Sequence, residues 1–339
     1  HVLDLLRAGK PVVTANKQLV ARRGDELFAA ASSAGVQLRF EASVCAAIPV
    51  IKVLRESLVV TNVHRVLGIV NGTTNFILTR MESGDAYEDA LAEAQRLGYA
   101  EADPTDDVSG ADAAAKMAVL ATVAFGSRVL LEDVAYEGIE SLLPEHVEAA
   151  RSLDAVIRLV GTATLVDGAV DVRVGPALVD RGHPLASVAG AFNAVMLQGD
   201  AIREITLEGP GAGGIETASA VVADLVSILG TTGTGFLQGD ACWRELPKLP
   251  PGDLPAAHYV RIDVADRPGV LAHVAERFAD QGVSIARLTQ QLVDGAAALD
   301  VVTHTAPSGR LEAALDALSG LDDVRGRPRA MRLIAERGV

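Results

Sequence analysis

Residues 98–120, GYAEADPTDDVSGADAAAKMAVL, combine a dense group of carboxylates with a helix that has almost no polar side. Five acidic residues fall within twelve positions: Glu101, Asp103, Asp106, Asp107 and Asp112. The alanine-rich run that follows them is interrupted by a single charge, Lys116. A helix that is apolar on nearly every face must be covered by other elements, as in a layered domain. The segment therefore predicts a buried helix that carries one lysine.

The spacing of Asp112 and Lys116, i and i+4, is also that of a surface ion pair, which would contribute only about 0.3 kcal/mol. The apolar neighbours favour another interpretation, because a buried lysine must be paired or lose its proton. Partial desolvation lowers the pKa of a lysine towards neutrality, as a general acid/base requires. Asp112, one turn earlier, would hold the side chain and limit that drop. We therefore predict that this pair takes part in chemistry.

The other carboxylates have two interpretations. Acidic residues and serines commonly cap a helix N-terminus, and Asp107 or Ser109 could do only that. Five acids exceed what capping requires, and a cationic ligand group such as an α-amine would offset their mutual repulsion. Glu101, which follows the GYA turn, is the preferred contact for such a group.

Three further segments are candidates for ligand binding. VVTANK places Lys17 at the carboxyl end of an apolar strand, where doubly wound sheets bind ligands. NGTTN, residues 71–75, is read as a turn before the helix FILTRMESG, and its hydroxyls and amides also suit a small polar substrate. GPGAGG, residues 209–214, does not follow a first strand as a G-x-G-x-x-G loop would and could be a flexible approach to a helix.

Composition excludes several classes of protein. The chain has 339 residues, of which 49% are hydrophobic, and a formal net charge of −14, so nucleic acid is not an expected partner. Lys116 and Asp224 interrupt the longest apolar runs, which predicts no membrane span. The two cysteines, Cys45 and Cys242, lack CxxC spacing and the histidines form no metal pattern. A reducing, cytoplasmic setting is expected.

The order of elements predicts an α/β protein with three parts. Residues 1–45 read as the last part of a Rossmann-type doubly wound parallel sheet, and residues 46–205 as a mixed-sheet α+β catalytic and dimerisation domain with an Asp167-Gly168 hairpin turn. Residues 206–240 would return to the nucleotide domain, and the proline-rich residues 241–257 read as a linker. Residues 258–339 follow the βαββαβ order of a ferredoxin-like domain. The first helix lacks its start, so we expect the native protein to extend upstream.

Several long motifs resemble those of a known family. VVTANK, FEASV…IPVI, GIVNGTTNFILTRM, GYAEADPTDDVSGADAAAKMAVLA and GPGAGGIETASAVVADL, in this order, closely resemble homoserine dehydrogenases. The tail, DRPGVLAHVAERFADQGVSI, resembles an ACT domain, with Asp266, Pro268 and Gly269 at its strand-to-helix turn. The resemblance spans nearly the entire chain.

This resemblance implies an activity and a set of roles. Homoserine dehydrogenases reversibly reduce L-aspartate 4-semialdehyde to L-homoserine with NADP or NAD as cofactor, on the path to threonine and methionine. Lys116 would be the acid/base, and Asp112 would orient it and the substrate. The other implied contacts are with the substrate amine (Glu101), the substrate pocket (Thr73, Tyr99, Asp107), the nicotinamide and substrate (Lys17), and the cofactor (Gly98, Gly211, Gly213).

The resemblance also implies a structural sodium ion, held largely by main-chain carbonyls at Glu41, Val44, Ala46 and Ile48. Relatives usually carry glycines where this chain reads Val44-Cys45-Ala46-Ala47-Ile48, so extra methyl groups would crowd that loop. The phosphate-binding glycine loop and the residue that chooses NAD or NADP belong to a first βαβ unit that is not among the 339 residues. The chain alone is therefore expected to bind a dinucleotide poorly.

The resemblance also implies how the protein is regulated, and the mixed sheet indicates how it assembles. The ACT domain predicts feedback inhibition, with L-threonine as the expected effector, and the mixed sheet predicts a homodimer or homotetramer. A rival hypothesis is a non-catalytic amino-acid sensor on a decayed dehydrogenase scaffold, against which the intact Lys116, Asp112 and Glu101 speak. A generic aldehyde reductase is a third option, but it would not explain the acidic cluster.

Overall fold

The amino-terminal segment forms a two-stranded parallel sheet, and along the chain a helix precedes and another follows its first strand. Helix α1 (Val2–Arg7) leads into strand β1 (Val12–Val13), helix α2 (Lys17–Ala34) and strand β2 (Leu38–Arg39), and β1 pairs with β2 in parallel. The side chain of Asn16 caps α2 by accepting the N–H of Leu19 at 3.0 Å, and Gly35, at φ 62°, ends the helix in the left-handed conformation. The predicted αβαβ order of a Rossmann-type sheet is confirmed.

The computed structural model describes residues 1–230, 253, 255–293 and 296–333. They divide into two compact units, one within residues 1–238 and the other within residues 239–339. Of the segments defined from the sequence, residues 231–240 and most of the proline-rich linker, residues 241–252 and 254, lie outside the described residues. None of the described helices is both long and apolar enough to cross a membrane.

A six-stranded mixed sheet forms the centre of the first unit. Its strands are β3 (Val63–Ile69), β4 (Ala135–Tyr136), β5 (Ala155–Val166), β6 (Ala169–Asp180), β7 (Phe192–Gly199) and β8 (Arg203–Pro210). The spatial order is β4-β6-β5-β3-β7-β8, parallel only between β4 and β6. Asp167 and Gly168, both at positive φ, make the two-residue turn between β5 and β6, which confirms the predicted hairpin.

Seven helices of the first unit follow α2 along the described chain. They are α3 (Val50–Lys52), α4 (Gly72–Glu82), α5 (Tyr87–Arg96), α6 (Thr105–Val108), α7 (Ala111–Phe125), α8 (Pro144–Ser152) and α9 (Gly214–Gly230), and a π-helical turn (Val53–Ser57) continues α3. The prediction of a turn at NGTTN is wrong, because α4 already begins at Gly72. Asn71 caps that helix by accepting the N–H of Thr74 at 2.8 Å.

Helix α7 is the buried helix that the alanine-rich run predicts. Nine of its fifteen residues are buried, and the alanines keep its surface flat enough for close packing on the sheet. Two strand glycines, Gly68 in β3 and Gly161 in β5, face Met117, and a β-carbon at Gly161 would overlap that side chain. The two glycines leave space on the sheet for Met117 of α7. Because Met117 is held there, the position of the preceding residue, Lys116, is also fixed.

The second unit is a sheet covered by two helices. Its elements are β9 (Pro255–Val264), α10 (Val270–Asp280), β10 (Ile285–Val293), β11 (Ala296–Thr303), β12 (Ala306–Pro307), α11 (Ser308–Ser319) and β13 (Arg329–Leu333). Strand β9 is central, because β11, β12 and β13 all pair with it. Apart from the short β12, this is the predicted βαββαβ order, and Gly269, at φ 96°, makes the turn into α10.

Candidate active site

One carboxylate, that of Asp112, joins two lysines from distant parts of the chain. Its Oδ1 lies 2.7 Å from Nζ of Lys17, the first residue of α2, and its Oδ2 lies 2.7 Å from Nζ of Lys116 in α7. The Asp112 side chain is 7% exposed and that of Lys116 is 12% exposed, whereas Lys17 is 35% exposed. The two ammonium groups and one carboxylate form a partly enclosed cluster with one net positive charge.

The end of β3 supplies the remaining contacts of this cluster. Lys116 Nζ donates a hydrogen bond to the Val70 carbonyl at 2.8 Å. Asn71 Nδ2 donates to Asp107 Oδ1 at 2.7 Å and to Asp112 Oδ2 at 2.9 Å. Val70 and Asn71 were not among the predicted site residues, although the paired amides of NGTTN were a signal for the second. A single asparagine thus caps α4 and connects two of the predicted carboxylates.

The protonation of the cluster differs from the sequence-based expectation. Burial by itself would lower the pKa of Lys116, but the Asp112 carboxylate 2.7 Å away, together with the neighbouring Cys45 and Asp107, raises this pKa above its usual range. The predicted lowering towards neutrality is therefore wrong. For Asp112, burial would raise the pKa, but Lys116 and Lys17 outweigh it and hold the pKa well below its usual range. Lys116 is an ammonium beside a carboxylate at neutral pH.

The predicted substrate-pocket residues form a second group beside the first. Thr73 Oγ1 donates to the Tyr99 carbonyl at 2.5 Å, and the Tyr99 ring packs at 5.0 Å from the ring of Phe76. Burial raises the pKa of Asp107, which the hydrogen bond from Asn71 partly offsets. These contacts tie the turn at residues 98–101 to the start of α4.

Glu101 and Gly98 lie on that turn with open surroundings. Glu101 is exposed, and its carboxylate makes no hydrogen bond or ion pair with any residue that the structure describes. Its main-chain carbonyl accepts a hydrogen bond from Gln95 at 3.2 Å. Gly98 has φ 80°, and no atom lies within 4 Å of the position that a β-carbon would take. The structure therefore leaves the Glu101 carboxylate free for a ligand but does not join it to the lysine cluster.

The glycine-rich loop before α9 makes close contacts that only glycine permits. A β-carbon at Gly211 would overlap the amide of Asn193, a fully buried residue of β7 that donates to Cys45 Sγ at 3.4 Å. Gly213 has φ 136°, and a β-carbon there would overlap the Glu216 carboxylate. Helix α9 begins immediately afterwards, so its free N–H groups face this loop. This start of a helix carries the Glu216 carboxylate, so it fits the nicotinamide end of a cofactor rather than a phosphate.

Replacing Gly211 by alanine is expected to lower the free energy of unfolding by about 2 kcal/mol, because the added methyl group must displace the buried Asn193 amide. Gly214→Ala is the matched control in the same loop, since nothing lies within 4 Å of its β-carbon position and its φ is not in the left-handed region. Urea unfolding of both variants measures the difference. Equal stability of the two variants would contradict the close packing of Gly211.

The predicted cation loop contains both free carbonyls and committed side chains. The carbonyl oxygens of Val44 and Ala46 accept no hydrogen bond from the residues that the structure describes, and such oxygens suit a sodium ion. The Glu41 carboxylate instead accepts the N–H groups of Ile51 and Lys52, each at 2.8 Å, while burial raises the pKa of Glu41 to about 7. Among the described residues, the Glu41 and Ile48 carbonyls accept the N–H groups of Val44 and Val50, so of the four predicted ligands only the Val44 and Ala46 carbonyls are open to a cation.

Two residues of this loop that stand where glycine was expected have backbone conformations that favour glycine. Cys45 and Ala46 have φ of 53° and 20°, in a region where a side chain is unfavourable. In the described part of the chain, no group of three or more His, Cys, Asp or Glu side chains could hold a metal ion.

Comparison with known proteins agrees with these features. Three family models match the chain: "Homoserine dehydrogenase, NAD binding domain" over residues 1–41, "Homoserine dehydrogenase" over residues 49–226 and "ACT domain" over residues 258–323. The chain is 48% identical to the homoserine dehydrogenase of Mycobacterium leprae, over 98% of this chain and 78% of that protein.

Solved structures give the same result. A crystal structure of a homoserine dehydrogenase from Thiobacillus denitrificans is 40% identical, with a TM-score of 0.66 over 98% of this chain and 78% of that chain. A hyperthermophilic archaeal homoserine dehydrogenase, solved in complex with NADPH, is 34% identical, with a TM-score of 0.59 over 68% of this chain and 67% of that chain.

The Rossmann-type segment, the mixed-sheet domain and the ACT domain define an oxidoreductase that uses a nicotinamide cofactor and carries a small-molecule-sensing domain. Within that class, the chain belongs to the homoserine dehydrogenase family.

Proposed function

We propose that the protein catalyses the reversible NAD(P)H-dependent reduction of L-aspartate 4-semialdehyde to L-homoserine, within threonine and methionine biosynthesis, with Lys116 as the acid/base. The observation that carries this proposal is the position of the Lys116 ammonium, held by Asp112 at 2.7 Å and by the Val70 carbonyl at 2.8 Å. Membership of the homoserine dehydrogenase family supports the substrate and the product.

The charge of Lys116 suits the reductive direction. Because the pKa of Lys116 is raised, the side chain is protonated at neutral pH and donates a proton to the aldehyde oxygen as negative charge develops there. In the oxidative direction the same nitrogen must first be deprotonated, so the reverse rate rises with pH. The bound nicotinamide cofactor supplies or accepts the hydride. Asp112 keeps Lys116 in place, and Lys17 neutralises the second oxygen of Asp112.

The acidic residues around this cluster would bind the amino-acid part of the substrate. Glu101, with its free and exposed carboxylate, is the proposed partner of the substrate ammonium. Thr73, Tyr99 and Asp107 line the same pocket in this proposal. Their support is the hydrogen bond between Thr73 and the Tyr99 carbonyl and the bond from Asn71 to Asp107, which hold these segments beside α7.

The proposed cofactor contacts are with Lys17 and the glycine backbone. Gly98 would allow close approach of the dinucleotide, because nothing lies within 4 Å of its β-carbon position. Gly211 and Gly213 would contribute main-chain groups only, since Asn193 and Glu216 fill their β-carbon positions, and α9 begins next to Gly213. The proposed cofactor is NADP or NAD. A sodium ion is proposed at the carbonyls of Glu41, Val44, Ala46 and Ile48, supported by the two carbonyls that lack a partner among the described residues.

The activity is tested directly by oxidation of NADPH and of NADH with L-aspartate 4-semialdehyde. The assay compares the 339-residue chain with a form extended upstream to the next in-frame start codon. Turnover in either form supports the proposal. If both forms are silent while L-threonine still binds, the protein is an amino-acid sensor, and the catalytic proposal is wrong.

Feedback inhibition by L-threonine is the proposed role of the ACT domain. Removal of residues 258–339 is expected to leave turnover within about twofold of the uncut enzyme while abolishing inhibition, since ACT domains act on a catalytic domain by differential binding. Initial rates with and without threonine measure both effects. Inhibition that persists in the shortened enzyme would place the effector outside this domain.

We propose further that the protein is a homodimer or homotetramer through the mixed sheet. Two apolar side chains on one face of the hairpin support this: Leu165 of β5 and Leu178 of β6 are 41% and 55% exposed. Sedimentation analysis distinguishes these assemblies from a monomer.

A further inference from the structure

A cavity of about 530 Å³ lies between α2 and α7. Its apolar lining comes from both helices and from the segments beside β2 and after α7: Val20, Phe28, Phe40, Val119, Val123 and Val129. This volume is in the range of small-molecule sites, roughly 300–1,000 Å³, which are mostly apolar with a few polar groups. We call it the α2–α7 cavity. None of its lining residues belongs to the Lys116 cluster or to the glycine-rich loop.

The cavity begins one helical turn from each lysine of the active site. Val20 follows Lys17 by three residues along α2, and Val119 follows Lys116 by three residues along α7, so each pair lies on one face of its helix. The same two lysines are joined by Asp112 with contacts of 2.7 Å. Any change in the separation of α2 and α7 at the cavity therefore alters the geometry of this cluster.

The charge of the lining is opposite to that of the chain. The net charge of the protein is −14, yet the charged residues that line the cavity are three arginines, Arg39, Arg55 and Arg128, and one acid, Asp25. Arg128 lies 3.4 Å from Asp25, and Arg39 lies 2.6 Å from Glu56. Arg55 makes no ion pair or side-chain hydrogen bond with any residue that the structure describes. The cavity lining thus includes one exposed arginine whose side chain has no partner among the described residues.

We propose that the α2–α7 cavity binds a small monocarboxylate with an apolar body, and that its occupant regulates the lysine cluster. The carboxylate pairs with Arg55, since a guanidinium matches a carboxylate through two parallel hydrogen bonds. The apolar body lies against the half-buried ring of Phe28, and the ring of Phe40, which is 2% exposed, supports Phe28 from behind at a centroid distance of 5.6 Å. The regulatory part rests on the proposed function, whereas the binding part does not.

Binding is tested with three probes that differ only in their head group: 4-phenylbutyrate, 4-phenylbutylamine and 4-phenylbutan-1-ol. Calorimetry or saturation-transfer NMR measures each. We expect the carboxylate to bind about tenfold more tightly than the amine, with Arg55→Ala removing most of that advantage and leaving the alcohol unaffected. Arg65→Ala is the matched control, because Arg65 is an exposed arginine on β3 that has no partner among the described residues.

A second variant tests the location. Val123→Trp fills the cavity and is expected to abolish binding of all three probes, and thermal unfolding verifies that the variant folds. Equal affinity for carboxylate and amine, no binding of any probe up to about 10 mM, or unchanged binding in a folded Val123→Trp variant would each overturn the proposal.

The regulatory part has its own readout in turnover. We expect 4-phenylbutyrate to change kcat at least twofold in the parent enzyme and in Arg65→Ala, but not in Val123→Trp. Probe binding without a change in kcat would overturn regulation and leave the ligand site intact. Absence of turnover in every form would count against the proposed function, while the binding measurement still decides the ligand site.

Discussion

In the form extended upstream, replacement of Lys116 by alanine is expected to lower kcat by about a thousandfold while NADPH binding stays within about twofold. The substitution removes the only lysine of α7, whose ammonium is held by Asp112 and by the Val70 carbonyl, and leaves nothing at that point to give a proton to the substrate oxygen. Steady-state rates with L-aspartate 4-semialdehyde measure kcat, and quenching of NADPH fluorescence measures cofactor binding.

Two further variants distinguish the loss of proton transfer from the loss of a positive charge and from a defect in folding. Lys116→Arg keeps a cation beside Asp112, but a guanidinium does not release its proton, so it should be stable and nearly inactive. Lys10→Ala, which removes an exposed lysine before β1, should behave as the parent enzyme. Turnover of Lys116→Ala within about threefold of the parent would remove Lys116 from the acid/base role.

Replacement of Asp112 by asparagine is expected to cost about 3 kcal/mol of unfolding free energy at pH 7, because two ammonium groups lose their common partner in a partly buried site. Without the carboxylate, burial dominates at Lys116 and lowers its pKa, so the alkaline side of the pH–rate profile should move to lower pH. Asp106→Asn is the matched control, since Asp106 is an exposed carboxylate of the same acidic segment.

The unfolding free energy that the Asp112 ion pairs contribute depends on pH. The pKa of Asp112 is depressed in the folded state, so its contribution is present above its ordinary value of 3.8 and is lost as the pH falls below it. The raised pKa of Lys116 keeps its contribution constant up to about its ordinary value of 10.5 and loses it only above. Urea unfolding should therefore show a difference between parent and Asp112→Asn that is full at pH 5 and becomes smaller towards pH 9, because Lys116 of the variant has a lowered pKa and loses its proton at lower pH than in the parent. A difference that disappears at pH 7 would contradict the ion-pair assignment.

The alternation of elements and the apolar helix could be predicted from the sequence because both are local patterns. The hairpin at Asp167-Gly168, the burial of α7 and the βαββαβ order of the second unit are all confirmed. The turn predicted at residues 71–75 was wrong because the capping asparagine and the following helix use the same residue types as a turn.

The contacts and protonation of the site could be predicted only in part from the sequence. The pairing of Asp112 with Lys116 follows from their i, i+4 spacing, but its second partner, Lys17, lies on another helix and has no local signal. The 2.7 Å distance between Asp112 and Lys116, which the spacing alone does not give, explains why the pKa of the lysine was predicted in the wrong direction. Asn193 was also missed, because an isolated asparagine within a strand does not indicate that a glycine from another segment packs on its amide.

Because Asp112 contacts both Lys17 and Lys116, the active-site cluster is expected to form late in folding. Its two oxygens join residue 17 to residue 116, and Asn71 adds a third segment of the chain to the same carboxylate. Helix α7 can form locally, but the cluster exists only after three distant segments have come together, and such contacts carry the entropy of closing long loops. During refolding, recovered turnover would therefore lag behind recovered helix signal, and its time course would report the completion of the tertiary fold.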